Sequence, residues 1–107
     1  MRLVSQVIIS SDIDDTVIQL EGLQQNERFV KIIKEDTFLV EDAKLAIEKA
    51  YMASEETTVI ILAAKTFSPV VQNKLLKVIE EPPSKKEFIL ITPSKATILD
   101  TIRSRLP

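Results

Sequence analysis

Carboxylates, hydroxyls, lysines and arginines are the side chains this 107-residue sequence can bring to a reaction, because it contains no cysteine and no histidine. Zinc sets built from Cys and His, thiol nucleophiles, disulfides and Ser-His-Asp triads are thereby excluded. The densest group of candidates is Asp12-Ile13-Asp14-Asp15-Thr16, directly after an apolar run at residues 3–10. Its clustered negative charges repel a triphosphate unless a metal intervenes. Nor can this turn cradle phosphates through its backbone. That needs closely spaced glycines followed by Lys and Ser/Thr, and the chain has one glycine, Gly22. The plainer role for the same residues is an acidic solvated turn whose aspartates cap the segment that follows.

The elements that must carry these groups are legible mainly in the second half. Short β-branched runs alternate with amphipathic ones, the pattern of a parallel sheet with crossover helices. Residues 3–10 form the first strand candidate, while the stretch from Thr16 to Thr37 has no clear period. Residues 28–34 fit either a short strand or a helix. Residues 40–53 predict a helix, with Val40, Ala43, Ile47, Ala50 and Tyr51 on one face. Residues 57–63 (TTVIILA) read as a strand buried on both faces in mid-sheet. Ser68 can cap the next helix and Pro69 suits its first position. Val71, Leu75, Val78 and Ile79 then line one face until Pro82-Pro83 stops it. Residues 88–92 (FILIT) form a third strand, followed by a turn at Pro93-Ser94 and a short helical segment at residues 96–102. No internal repeat stands out.

The composition is that of a folded domain: 45% hydrophobic and 28% charged residues, in a length suited to one core of three or four strands. The formal net charge of -2 gives no global field for gathering nucleic acid or anionic lipid, so any DNA contact must be local. The apolar runs are far shorter than the roughly 20 residues a membrane helix needs, and no signal peptide is apparent, which predicts a cytoplasmic protein.

Residues 59–107, VIILAAKTFSPVVQNKLLKVIEEPPSKKEFILITPSKATILDTIRSRLP, hold the most specific pattern in the chain. The block from Gln72-Asn73-Lys74-Leu75-Leu76-Lys77 to Glu80-Glu81-Pro82-Pro83, its distance to FILIT, and the terminal Ser104-Arg105 resemble the ATPase-like (AAA+) domain of bacterial clamp loader subunits, the delta-prime type of DNA polymerase III above all. The likeness covers the last half of the chain well, the helix from Val40 plausibly and the first 35 residues poorly. It implies an α/β fold, a mostly parallel sheet flanked by helices in a degenerate P-loop NTPase-like domain over residues 1–107. The phosphate-loop region would be shortened or rebuilt.

The resemblance also assigns roles. The strand of residues 59–62 would end in two metal-holding acids, but Leu62 and Ala63 stand there, and neither can bind a hard cation. With no phosphate loop, the domain is expected to lack ATPase activity and any cofactor or metal of its own. The family's Ser-Arg-Cys motif corresponds to Ser104-Arg105-Leu106, making Arg105 an arginine finger, with Ser104, for ATP bound to a neighbouring subunit. Thr92 falls where a polar phosphate sensor is often found; without nucleotide, a hydroxyl bonded to backbone is the plainer expectation. Gln72, Asn73, Lys74 and Lys77 are expected to face DNA, the clamp or a neighbour, or simply solvent, and Lys85 and Lys86 an exposed turn. Implied partners are the ATP-hydrolysing gamma/tau subunit and the delta subunit, with the sliding clamp and primer-template DNA reached through the complex, and no membrane. The family's four-cysteine zinc module is missing. A helical lid and a collar would follow Arg105, so the chain reads as a fragment of a longer protein. An alternative resemblance is the D-x-D-x-T opening of haloacid-dehalogenase-like phosphatases. It would make Asp12 and Asp14 the nucleophile and proton carrier on magnesium, with Lys65 assisting, although the later acidic pair of that pattern is absent.

Overall fold

A computed structural model describes residues 2–106. Its elements run β1 (Gln6–Ile9), α1 (Ile13–Glu21), β2 (Arg28–Ile33), β3 (Thr37–Phe38), α2 (Val40–Ala50), β4 (Thr58–Ala63), β5 (Thr66–Phe67), α3 (Pro69–Glu80), β6 (Lys86–Thr92), a 3₁₀ turn (Lys95–Thr97) and α4 (Asp100–Arg103). β1, β6, β4 and β2 form one sheet in that order, with every pairing parallel. Such a sheet must be covered on both faces. Alternate β4 residues accordingly feed two cores. Ile60 and Leu62 pack with residues of α2, α3 and α4, including Ala43, Ala46, Leu75 and Ile102, while Val59, Ile61 and Ala63 pack beneath Val17 and Leu20 of α1. All six β4 residues are buried, as expected of the central strand in TTVIILA.

α3 starts and stops where its sequence dictates. The Ser68 hydroxyl accepts from the Val71 amide at 3.2 Å, Pro69 occupies the first turn, and Val71, Leu75, Val78 and Ile79 are buried. α2 is entered differently: the Asp42 carboxylate accepts from the Leu39 amide at 2.8 Å, satisfying a helix-end donor from inside the first turn.

Several expectations are settled or corrected along the chain. Residues 13–21 form a helix, with Asp12 as its cap and Asp14 and Asp15 in its first turn. Its buried stripe is only Thr16, Val17 and Leu20, too narrow to impose a visible period on VIQLEGLQQ. Residues 28–33 are a strand, held in register against β4 from Arg28↔Thr58 to Ile33↔Ala63. α2 ends at Ala50, and Tyr51, placed by periodicity on the buried face, is 60% exposed because it lies past the last helical turn. Lys86 is buried as the first residue of β6, so the exposed turn holds Lys85 alone of the pair, at φ 61° with its ammonium on the Glu55 carbonyl. The helical segment at 96–102 is broken, since Ile98 and Leu99 are extended between the 3₁₀ turn and α4.

A repeat that the residues conceal is plain in three dimensions. β2-β3-α2 and β4-β5-α3 are successive copies of one unit: a strand of the main sheet, a short loop, a Thr-Phe pair and a helix. The two Thr-Phe pairs form their own parallel ribbon, Thr37↔Thr66 and Phe38↔Phe67, and the phenylalanine rings stack at 4.9 Å. This ribbon fixes the N-terminal ends of α2 and α3 side by side at the C-terminal rim of the sheet.

Candidate functional site

In open parallel sheets, ligands lodge at the C-terminal ends of the strands. The rim here holds a cleft of about 520 Å³ whose polar lining includes Asp12, Asp14, Glu35 and Asp36 against Lys34 and Lys65. Each lysine has an acidic neighbour: Lys34 lies 3.6 Å from Asp42 and Lys65 3.7 Å from Asp36. The turn after β1 is closed by its own side chains. Ser10 Oγ accepts from the Asp12 amide at 3.1 Å, the Asp12 carboxylate accepts from the Asp15 amide at 3.0 Å, and Thr16 Oγ1 donates to Ser10 Oγ at 2.7 Å. The amides of Asp12 and Asp15 are thus bonded within the turn, and Asp12, Asp14 and Asp15 place negative charge at the positive end of α1, where it repels a phosphate.

The same bonds remove support for the phosphatase alternative. Asp12 spends its carboxylate capping α1, Asp15 accepts from Gln19, and no group of three or more acidic residues placed to hold a metal occurs among the described residues. A D-x-D-x-T pattern at the first turn of a helix is a capping sequence.

Leu62 and Ala63 are both fully buried at the end of β4. They pack into opposite cores and offer the rim no side-chain oxygen. Thr92, also buried, donates to the Lys65 carbonyl at 3.3 Å, the backbone bond expected of a strand-end hydroxyl.

Ser104 and Arg105 stand at a different edge, just after α4. Ser104 Oγ donates to the Thr101 carbonyl at 3.0 Å, so its hydroxyl is used at the helix end. The next two residues diverge. Leu106 turns inward, 3% exposed in the core of α3 and α4, as an apolar anchor. Arg105 turns outward: its side chain is 54% exposed, with Nε donating to Glu80 Oε1 at 3.2 Å and Nη2 3.1 Å from the same oxygen. An exposed pair of this kind contributes on the order of 0.2–1 kcal/mol. Arg105→Ala is therefore expected to leave stability to urea within about 1 kcal/mol of the parent, as an equilibrium denaturation curve will show.

What holds this edge in place is Gln72, and here the expectation of a DNA- or partner-facing residue is overturned. Gln72 is fully buried. Its Nε2 donates to the carbonyls of Phe67 at 2.7 Å and Thr97 at 2.9 Å, and its Oε1 accepts from the Leu99 amide at 2.7 Å. One amide thus ties the end of β5, the 3₁₀ turn and the start of α4 to α3. Its burial was readable, since Gln72, Leu75 and Ile79 share the i, i+3, i+7 stripe. Asn73, Lys74 and Lys77 are exposed on the other face of α3.

These features define an α/β domain with a fully parallel main sheet, helices on both faces and an acidic turn after the first strand. The matching family model is that of the DNA polymerase III delta subunit, over residues 7–107, and the chain belongs to this family. Its fold is shared by a DNA polymerase III gamma subunit-related protein from Thermotoga maritima, with a TM-score of 0.65 and 18% sequence identity over 97% of this chain. The chain spans 39% of the length of that protein. No curated protein matches the sequence. No helix among the described residues is long and apolar enough to cross a membrane.

Proposed function

We propose that this chain is the ATPase-like domain of a delta-prime-type clamp loader subunit, a non-hydrolysing member of the ring that loads the sliding clamp for DNA replication. The observation that carries this reading is the pairing of opposites at the two edges. At the rim, the turn after β1 is closed by Ser10, Asp12 and Thr16, and the β4 end is apolar at Leu62 and Ala63. At the α4 edge, an arginine anchored by its buried neighbour reaches outward. A subunit that cannot bind ATP itself can still complete a neighbour's site. In this role Arg105 donates to the γ-phosphate held by the gamma/tau-type subunit, offsetting charge that develops there during hydrolysis.

Supporting roles follow for the rest of the surface. Asn73, Lys74 and Lys77 face the clamp, the DNA or the adjoining subunit, and the delta subunit, clamp and primer-template DNA are met within the assembled ring in the cytoplasm. Isothermal titration of the subunit with ATP and magnesium is expected to give no binding heat at protein concentrations of about 100 μM, where a 10 μM site would be saturated. Measurable binding would show that the domain carries a nucleotide site of its own and would overturn the inactive assignment.

A further inference from the structure

Glu80 sits in the last turn of α3 and Glu81 follows it, at the end of a helix where the unpaired carbonyls disfavour negative charge. The arrangement makes sense once Arg105 is considered, because its guanidinium stands directly against the Glu80 carboxylate. Both contacts, Nε at 3.2 Å and Nη2 at 3.1 Å, converge on a single oxygen, Oε1. A guanidinium has five N–H groups, and these contacts engage only the Nε–Nη2 side. Both hydrogens of Nη1 and the second of Nη2 are left for another acceptor. The distances exceed the roughly 2.7–2.9 Å of a tight charge-assisted bond, so the carboxylate steers the group without saturating it. The base of the side chain is fixed as well, since the Arg105 amide donates to the Ile102 carbonyl at 3.0 Å and Leu106 is buried beside it. Backbone anchoring alone leaves the long side chain its rotamer freedom; contact with Glu80 biases it toward one direction.

We propose that Glu80 is a positioning residue for Arg105: it holds one side of the guanidinium so that the remaining donors are presented as a fork to a phosphate on a neighbouring subunit. This rests on the trans role of Arg105 proposed above. Glu80 touches no nucleotide and acts through the arginine.

The test uses the clamp loader reconstituted with this subunit at its natural length, other hydrolysing sites silenced, and equal incorporation verified by native mass spectrometry. Glu80→Ala is expected to lower kcat for clamp- and DNA-stimulated ATP hydrolysis about tenfold with KM nearly unchanged, less than the roughly 100-fold that a 1 Å misplacement can cost. Glu80→Gln, which retains Oε1 as an acceptor, should restore most of that loss. In an Arg105→Ala background, Glu80→Ala should add nothing, the signature of two residues acting as one unit. Parent-like hydrolysis by Glu80→Ala while Arg105→Ala is impaired overturns the positioning role and leaves the trans arginine standing. A Glu80→Ala loss that persists in the Arg105→Ala background also overturns it. Unimpaired hydrolysis by Arg105→Ala removes the trans reading itself, and the role of Glu80 with it.

Discussion

Gln72→Ala is expected to cost the domain about 3–4 kcal/mol of unfolding free energy, far more than any exposed position on the same helix. The estimate follows from what the amide satisfies. Two carbonyls, of Phe67 and Thr97, and one amide, of Leu99, lose their partner together. Each buried polar group left without one costs about 1–3 kcal/mol; the bond to Phe67 is fully buried and those of Thr97 and Leu99 only partly, so the total stays well below three full penalties. For a domain whose whole stability is on the order of 5–15 kcal/mol, that is a large fraction. Urea denaturation measures the loss directly. Asn73→Ala, one residue away and exposed, should stay within about 0.5 kcal/mol of the parent. Hydrogen exchange adds location, because the Leu99 amide should lose protection before the strands of the main sheet do. A Gln72→Ala protein with parent stability would mean that the α4 edge is held by its apolar contacts alone.

The same amide also supports the edge that carries Arg105. Leu99 caps the start of α4, and Arg105 lies two residues past the end of that helix. Gln72 therefore sets where α4 starts, Ile102 and Leu106 seat it in the core, and Glu80 meets the arginine that emerges. All four supports come from α3 or pack against it.

How far the residues disclosed this differs along the chain. From Thr58 to Glu80 the elements are legible because several physical signals agree, whereas the segment after Pro93 is broken where one helix was expected. β4 is apolar on both faces, Ser68-Pro69 is a helix start with a mechanism, and Pro82-Pro83 is a stop. The first half lacked that agreement. α1 buries a narrow stripe under a single sheet face, and β2 is an edge strand whose Arg28, Lys31 and Ile33 are exposed, so neither period nor composition marked it. The duplicated strand-ribbon-helix unit escaped notice because its copies share little beyond Thr-Phe, and their loops differ by one residue between main strand and ribbon. At the site, Arg105 was found through the motif around it. Glu80 was visible only as part of a family-like block, since its partner is 25 residues away in sequence. Gln72 is polar by type, and only its place in the apolar stripe with Leu75 and Ile79 marks it as buried.

The largest functional effect is expected at Arg105. If its guanidinium completes a neighbour's site, Arg105→Ala removes a donor aimed at charge that appears only in the transition state, and the loss falls on kcat. Arg105→Lys should rescue little, because a single ammonium on a flexible stem cannot reproduce the planar fork. Stability should barely move, given the exposed pair that is lost. The most direct measurement is clamp- and DNA-stimulated ATP hydrolysis by the reconstituted clamp loader, comparing the parent subunit with Arg105→Ala in rings of equal composition. With the other sites silenced, the predicted result is a loss of about 10³-fold or more at the adjoining site. Hydrolysis at the parent rate would contradict the account, leaving Arg105 a surface residue and the domain a scaffold.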